Sequence, residues 1–340
     1  MDNRPAIPTL EDVARAAGVS TATVSRCLNE KAKVSQATLD KVLAAVDQLG
    51  YTPNFNARAM AAKQSQTIGA IIPTMENAIF ARGIQAFQVR LQERGYNLLV
   101  SSNGYEPSVE TELVRSLASR GADGLLLIGC SRNAATYDYI ERRGIPTVLA
   151  WSLDHTQERA CVGFDNCTAM QSLAGKVMGL GHKRIGVISG TVQGNDRAEA
   201  RLEGIMSTAE ARGLAIDHSH IIETPYGIDN GSAAFEQIMK SSNPPTVVMC
   251  GNDVLAAGAI AKARELGISI PEDVSITGFD DIELAKHVYP ALTTVHVPHR
   301  NMGRQAADVL IGMIEDRNPR ITIELETHVV ERESLSAPSD

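Results

Sequence analysis

The side chains best suited to chemistry stand at the ends of short apolar runs. Trp151, the only tryptophan, follows residues 147–150; Asn252 and Asp253 follow 246–250; Asp280 and Asp281 follow 275–279; Arg197 and Arg201 lie just beyond Ile188-Ser189-Gly190. Carboxylates accept paired hydrogen bonds, a guanidinium donates them in a fixed fork, and an indole supplies a flat apolar wall. Together they suit reversible binding of a polyhydroxylated or anionic metabolite. Each also has a structural use: Asp253 and Asp281 are placed to cap helices, Trp151 to fill a core, and Arg197 to lie on a solvated face. Catalysis finds no comparable pattern. Residues after the first apolar run read Pro73-Thr74-Met75-Glu76-Asn77, so the dinucleotide cradle GxGxxG is missing, and Val177 after Gly175-Lys176 breaks the phosphate-loop pattern. Neither a GxSxG elbow nor an HExxH helix occurs.

These residues belong to a repeating frame. From Thr67 onward apolar strands alternate with helical segments, and the joints recur as Arg94-Gly95, Arg120-Gly121, Arg143-Gly144, Leu180-Gly181, Arg212-Gly213 and Leu266-Gly267. Glycine stands where a helix ends left-handed, and arginine where the helix dipole favours a cation. Strands are expected at 68–72, 98–100, 124–128, 147–150, 185–188, 246–250 and 275–279, which makes a βα repeat with parallel sheets covered on both faces. About twelve strands exceed one comfortable open sheet. Two doubly wound lobes are expected, with a change of lobe near 161–165 and later segments, 292–295 and 321–333, crossing back. Ligands in such sheets sit outside the carboxyl ends of strands, which is where the residues above fall.

The first 65 residues read differently. Leu10, Val13, Ala14 and Ala17 have helical spacing and Gly18 follows as a terminator. Ser20 is placed to cap a second helix from Thr21 to about Asn29, with Val24 and Leu28 inward. Two helices joined by about three residues including glycine form the helix-turn-helix pattern. Ser35 begins a third, with Leu39, Val42, Leu43, Val46 and Leu49 on one face and Gly50 at its end. The second helix turns Thr21, Ala22, Ser25 and Arg26 outward. Such a helix enters the major groove, where arginine takes guanine O6 and N7 and small side chains meet a thymine methyl. Helix spacing alone fits a small structural bundle equally well. Residues 54–62 have high helix propensity with Asn54 as the cap, yet are too few to stand as a helix without a partner.

Charge divides along the same line. The chain carries −8 overall, but residues 1–65 hold eight Lys/Arg against six Asp/Glu, while the remainder holds 24 against 34. A head of +2 on a body of −10 fits a nucleic-acid-facing segment. The five cysteines (27, 130, 161, 167 and 250) form no CxxC pair and read as reduced, buried thiols, not as a metal site. No apolar run approaches a membrane span and the first residues lack a signal-peptide core, so the cytoplasm is expected.

The runs Thr9-Leu10-Glu11-Asp12-Val13-Ala14, Ala17-Gly18-Val19-Ser20, Thr23-Val24-Ser25-Arg26, Leu28-Asn29 and Val34-Ser35 closely resemble the head of the LacI/GalR family of bacterial transcription regulators. Leu49-Gly50-Tyr51-Thr52-Pro53-Asn54 and Ala61-Ala62-Lys63-Gln64-Ser65 continue the resemblance. It implies an all-α helix-turn-helix head (1–53), a hinge helix and linker (54–65) that orders in the minor groove, and an α/β core (66–340). The core would be two-lobed, similar to periplasmic sugar-binding proteins, with lobe 1 at about 66–161 and 291–321 and lobe 2 at about 162–290 and 322–335. A homodimer or tetramer would bind a near-palindromic double-stranded operator, with a sugar or sugar acid between the lobes as effector, no cofactor and no membrane. It would lie in the cytoplasm, at the nucleoid when bound. DNA contacts are implied for Thr9, Ser20, Thr21, Ala22, Thr23, Ser25, Arg26, Asn29, Ser35 and Tyr51, and for Asn54, Arg58 and Met60 in the hinge. Met60 departs from the family's usual leucine wedge; it is also apolar but more flexible. Arg201, Asn252 and Asp280 match the family's effector positions, Tyr226 and Phe80 fall where members place aromatics, and Arg197 and Trp151 join them from the strand-end reading. His182 matches a position that looks structural. The alternative, a stand-alone sugar receptor, would need no such head and would normally carry an export signal.

Overall fold

The computed structural model describes residues 8–29, 34–52, 64–156, 158–316 and 321–339. In the head, α1 (Leu10–Ala17), α2 (Thr21–Asn29) and α3 (Gln36–Leu49) keep the expected bounds. The caps are local and complete. Thr9 and Asp12 form a reciprocal capping box, Ser20 accepts from the Thr23 amide, Ser35 accepts from the Thr38 amide, and Gly18 and Gly50 end α1 and α3 left-handed. Val13, Ala14, Val24, Cys27, Val42 and Ala45 close a small core. Leu43, expected inside, is 39% exposed; the helical turn that brings Val42 inward carries its neighbour outward, and Ala45 takes the inner position.

The core alternates β1 (Thr67–Ile72), α4 (Ala78–Glu93), β2 (Asn97–Ser102), α5 (Pro107–Ser119), β3 (Gly124–Ile128), α6 (Ala134–Arg143), β4 (Thr147–Ala150) and β5 (Ala160–Gly163). It continues with α7 (Asn166–Gly179), β6 (Ile185–Gly190), α8 (Asp196–Ala211), β7 (Ile221–Thr224), α9 (Ile228–Met239), β8 (Val247–Cys250), α10 (Asp253–Glu265), β9 (Ser275–Thr277) and the short α11 (Leu284–His287). It closes with β10 (Thr294–His296), α12 (His299–Ile314), β11 (Thr322–Glu324) and β12 (His328–Val330). One parallel sheet runs β11-β5-β4-β3-β1-β2 and a second runs β7-β6-β8-β9. The strands β1, β3, β5, β6 and β8 are buried along their whole length, as a sheet covered on both faces requires. The six helix-ending glycines expected from the repeat all have positive φ, between 60° and 103°. In each sheet the strand order reverses beside its first strand, so the ligand-bearing switch points lie above β1/β3 and β6/β8. No helix among the described residues is long and apolar enough to cross a membrane.

The lobe limits shift from those expected. Ala160–Gly163 pairs with β4, so the chain leaves the first sheet after Gly163 and not at 161–162. Thr322–Glu324 pairs with β5, so it belongs with the first lobe, not the second. Only beyond Leu325 does the chain return, through β12 paired antiparallel to β10, to Ser334, whose carbonyl accepts from the Ile276 amide. The chain thus passes between the lobes three times.

Two glycines set the crossing of α4 and α12. A Cβ on Gly303 would lie 2.0 Å from the Gly83 carbonyl oxygen, and one on Gly83 would lie 2.4 Å from the Trp151 ring. Gly303→Ala must therefore push the helices apart, and the expected cost is about 1–3 kcal/mol, read as a lower urea midpoint of the core; an unchanged midpoint would mean the crossing yields freely.

Candidate functional site

The site is built around one guanidinium. Asn195 caps α8 as the chain leaves β6, and Arg201 lies on the buried face of that helix, 4% exposed. Its Nε donates to Asn166 Oδ1 at 2.9 Å, Nη1 donates to the Gly251 carbonyl at 2.8 Å, and Nη2 meets Asp280 Oδ1 at 3.4 Å. The guanidinium carbon stands 3.8 Å from the centroid of the Phe279 ring. Asn166 in turn donates through Nδ2 to the Trp151 carbonyl at 3.0 Å, so the first lobe's strand end and the second lobe's arginine share one amide. Asp280 has φ 105°, a conformation L residues seldom adopt, which is backbone strain stored at the site. Burial pushes its carboxyl up to about 6, against the pull of Arg201 and Arg197.

The walls are aromatic. Trp151, with φ 65°, donates from Nε1 to His299 Nδ1 at 3.1 Å and meets Phe80 edge-on with ring centroids 5.6 Å apart. The hydroxyl end of Tyr226 lies against Gly190, where a Cβ would come within 2.3 Å of its ring, and its centroid is 5.9 Å from that of Tyr105. Arg197 Nη1 donates to Asp196 Oδ1 at 2.8 Å, while the other oxygen of Asp196 accepts from the Cys130 amide at 2.7 Å and so ties the lobes together. Burial raises the Asp196 carboxyl, but Arg197 and that amide outweigh it and leave the group below its usual range.

Phe80, Trp151, Arg197, Arg201, Tyr226, Asn252 and Asp280 all line a single inner cavity, together with Ile79, Tyr105 and Asn195. Its free volume is about 10 Å³, roughly the room one water needs. Tyr105, Asn195 and Tyr226 also wall an outer cleft of about 720 Å³. Asn252 does double duty, since its Oδ1 caps α10 by accepting from the Leu255 amide at 2.9 Å. The helix-cap alternative fails for both aspartates. Asp253 is buried and accepts from the Ile282 amide at 2.8 Å and Thr294 Oγ1 at 2.5 Å; burial, then the neighbouring Asp280, pushes its carboxyl well up. Asp281 pairs with Arg332 and with His296 on β10, clamping the crossing segments. His182 is held between Thr246 Oγ1 and the Ser336 carbonyl, each at 2.8 Å, a structural role. Sequence reasoning missed Asn166, Tyr105, Asn195 and His299, each of which closely follows a strand end or opens a helix. No group of His, Cys, Asp and Glu among the described residues could hold a metal ion.

The head's outer face is made by Thr9, Ser20, Thr21, Ala22, Arg26 and Ser35, all exposed, with Thr23 and Ser25 half-buried. Thr9, Ser20 and Ser35 use their hydroxyls as helix caps. Tyr51 differs from expectation: it packs in the head's core and is only 8% exposed. Asn29 ends α2. Asn54, Arg58 and Met60 lie outside the described residues.

The chain matches known families at both ends. Residues 9–54 match the model for bacterial regulatory proteins of the lacI family, and residues 174–335 match the periplasmic binding protein-like domain. It is 33% identical over 333 residues to the HTH-type transcriptional repressor PurR of Vibrio atlanticus (strain LGP32), covering 96% of this chain and 98% of that one. It is 34% identical over 311 residues to the HTH-type transcriptional repressor CytR of Escherichia coli (strain K12), covering 91% of each. Among solved structures it resembles a LacI-family transcriptional regulator from Silicibacter pomeroyi, with a TM-score of 0.89 at 28% identity over 97% of this chain and 99% of that one. The lac repressor dimer bound to operator and the anti-inducer ONPF gives 0.85 at 26% identity, over 97% and 99%.

The raised Asp280 carboxyl has a signed consequence. Its folded value of about 6 exceeds the ordinary 3.8, so the stability it contributes is complete below about pH 4 and is lost as pH rises through 6. Asp280→Asn should remove that decline, worth up to roughly 3 kcal/mol; denaturation midpoints of both proteins from pH 4 to 7.5 should converge at the acid end if Asp280 is the group responsible.

Proposed function

The chain belongs to the LacI family of bacterial regulatory proteins, and on that premise we propose that a sugar or sugar acid held between the lobes of its core sets its affinity for an operator. It is a DNA-binding transcriptional repressor with an effector-binding core, and not an enzyme. The observation that carries the effector reading is convergence. Residues from separate segments, Phe80 and Trp151 of the first lobe and Arg197, Arg201, Tyr226, Asn252 and Asp280 of the second, meet at one cavity beneath an open cleft. Polar groups that fix orientation, set among aromatic walls, are the usual make-up of a small-molecule site. One neighbour in fold, the regulator CelR, is described as a complex with cellobiose, at a TM-score of 0.72 and 28% identity.

The head reads the major groove through α2. Thr21 and Ala22 are small, so more of the discrimination falls on Arg26 and on the shape of the DNA. The segment 54–65 supplies the hinge helix and linker, with DNA contacts from Asn54, Arg58 and Met60, the last as the apolar wedge. The working form is a homodimer, or a tetramer, on a near-palindromic site, in the cytoplasm and at the nucleoid when bound. Effector and operator then communicate with a coupling of about 1–3 kcal/mol, the ordinary range for such linkage.

Two outcomes are expected. A metabolite panel in a thermal-shift assay yields a hit that Arg201→Ala and Asp280→Ala each abolish; a hit that survives both substitutions places the effector elsewhere. Arg26→Ala weakens binding to the specific operator by about 1–3 kcal/mol with little change on random DNA; equal losses on both, measured by fluorescence anisotropy, would reduce Arg26 to a phosphate contact.

A further inference from the structure

Two buried polar atoms beside the inner cavity have no hydrogen-bond partner among the described residues: Asp280 Oδ2, on a residue that lines it, and His299 Nε2, on a residue bonded to Trp151 of that lining. They belong to facing groups, His299 Nε2 lying 4.0 Å from Asp280 Oδ1. Their complementary roles follow from chemistry. Indole N–H only donates, so the 3.1 Å bond from Trp151 Nε1 makes His299 Nδ1 an acceptor. Burial, and after it the charge of Arg201, holds this imidazole neutral down to about pH 3. A neutral ring with an accepting Nδ1 carries its proton on Nε2. That nitrogen stands 4.0 Å from the Asp280 carboxylate, and the Asp280 backbone beside it favours the charged ring, but it makes no full hydrogen bond to either. The pair thus presents one donor and one acceptor, both desolvated, from opposite lobes: His299 opens α12, which packs on the first sheet, and Asp280 follows β9 of the second.

We infer that His299 is a specificity-determining residue of the effector site, and that Nε2–H and Asp280 Oδ2 together grip a single hydroxyl of a neutral sugar. This rests on the effector reading given above and narrows it. A hydroxyl accepts and donates through one atom, so it can serve a donor and an acceptor on two residues that approach to 4.0 Å, measured from His299 Nε2 to Asp280 Oδ1. A carboxylate cannot donate, and beside Asp280 it would face a like charge in a buried setting. The acid end of a sugar acid is therefore excluded from this pair. The hydroxyl can be carried by a free sugar or by the ribose of a nucleoside, whose base would meet the Tyr105 and Tyr226 rings at the mouth.

The test uses the full-length protein at pH 7.5 and isothermal titration with D-glucose, D-galactose, D-ribose, cellobiose, the four matching aldonates, adenosine and uridine. The tightest binder is then replaced by its complete set of monodeoxy analogues, against wild type and against His299→Phe, which keeps an aromatic ring beside Trp151. The expected result is a neutral sugar or nucleoside for which one deoxy position costs on the order of 100-fold in affinity. In His299→Phe that same deletion costs under about tenfold, while the other deletions keep their cost. As a readout independent of the variant's folding, ring-¹⁵N-histidine spectra of wild type should show a neutral Nε2–H resonance that moves with the parent compound and not with that analogue. Binding without such coupling, or an aldonate binding tighter than its sugar, overturns this inference and leaves the cleft reading intact. No binding by any of the ten compounds overturns both.

Discussion

A guanidinium taken out of water must find its hydrogen bonds within the protein, and the core of this repressor is arranged to supply them to Arg201. Asn166, the Gly251 carbonyl and Asp280 each meet a different nitrogen, and Phe279 covers the flat face. Those four partners come from the lobe crossing, the end of β8 and the end of β9, so three separate strand ends are held in register by one side chain. An ion pair this deep rarely stabilises a fold more than apolar residues of the same volume would. Its retention argues for use. The charge it brings keeps Asp280 available as an acceptor near neutral pH despite a burial that pushes the carboxyl up.

The βα period by itself locates much of the site. Residues that follow apolar runs fall at the carboxyl ends of parallel strands whatever the family, and Trp151, Arg197, Arg201, Asn252 and Asp280 are legible on that ground. Phe80 and Tyr226 follow from resemblance alone, because a single aromatic within or beside a helix has no local signature. Tyr105 is hidden by a strand that runs on to Ser102, past its expected end at residue 100, which moves the following loop into the cleft. His299 obeys the strand-end rule, three residues past β10, but the segment 292–295 carries the signature of a lobe crossing, which draws no attention to the helix that follows it.

Where the sequence misleads, the cause is weak patterning. The strand β11 reads Thr-Ile-Glu and lies exposed at the sheet's edge, so nothing in its composition announces that it pairs with β5. Whether Asp253 and Asp281 cap helices or take long-range partners depends on Thr294, His296 and Arg332, residues far along the chain. The head shows the opposite case. Its caps and terminators act within four residues, so Thr9, Gly18, Ser20, Ser35 and Gly50 can be read directly.

The triple passage between lobes also constrains how the chain is made. The first sheet lacks its sixth strand until Thr322–Glu324 has been synthesised, and the second waits for Ser334 to close against Ile276. Neither lobe can reach its final hydrogen-bonded form while the last few dozen residues remain in the ribosome, although the head, with only short-range contacts, can. During translation the DNA-reading unit therefore matures ahead of the unit that regulates it, and a premature stop near the C-terminus would damage both lobes at once while sparing the head.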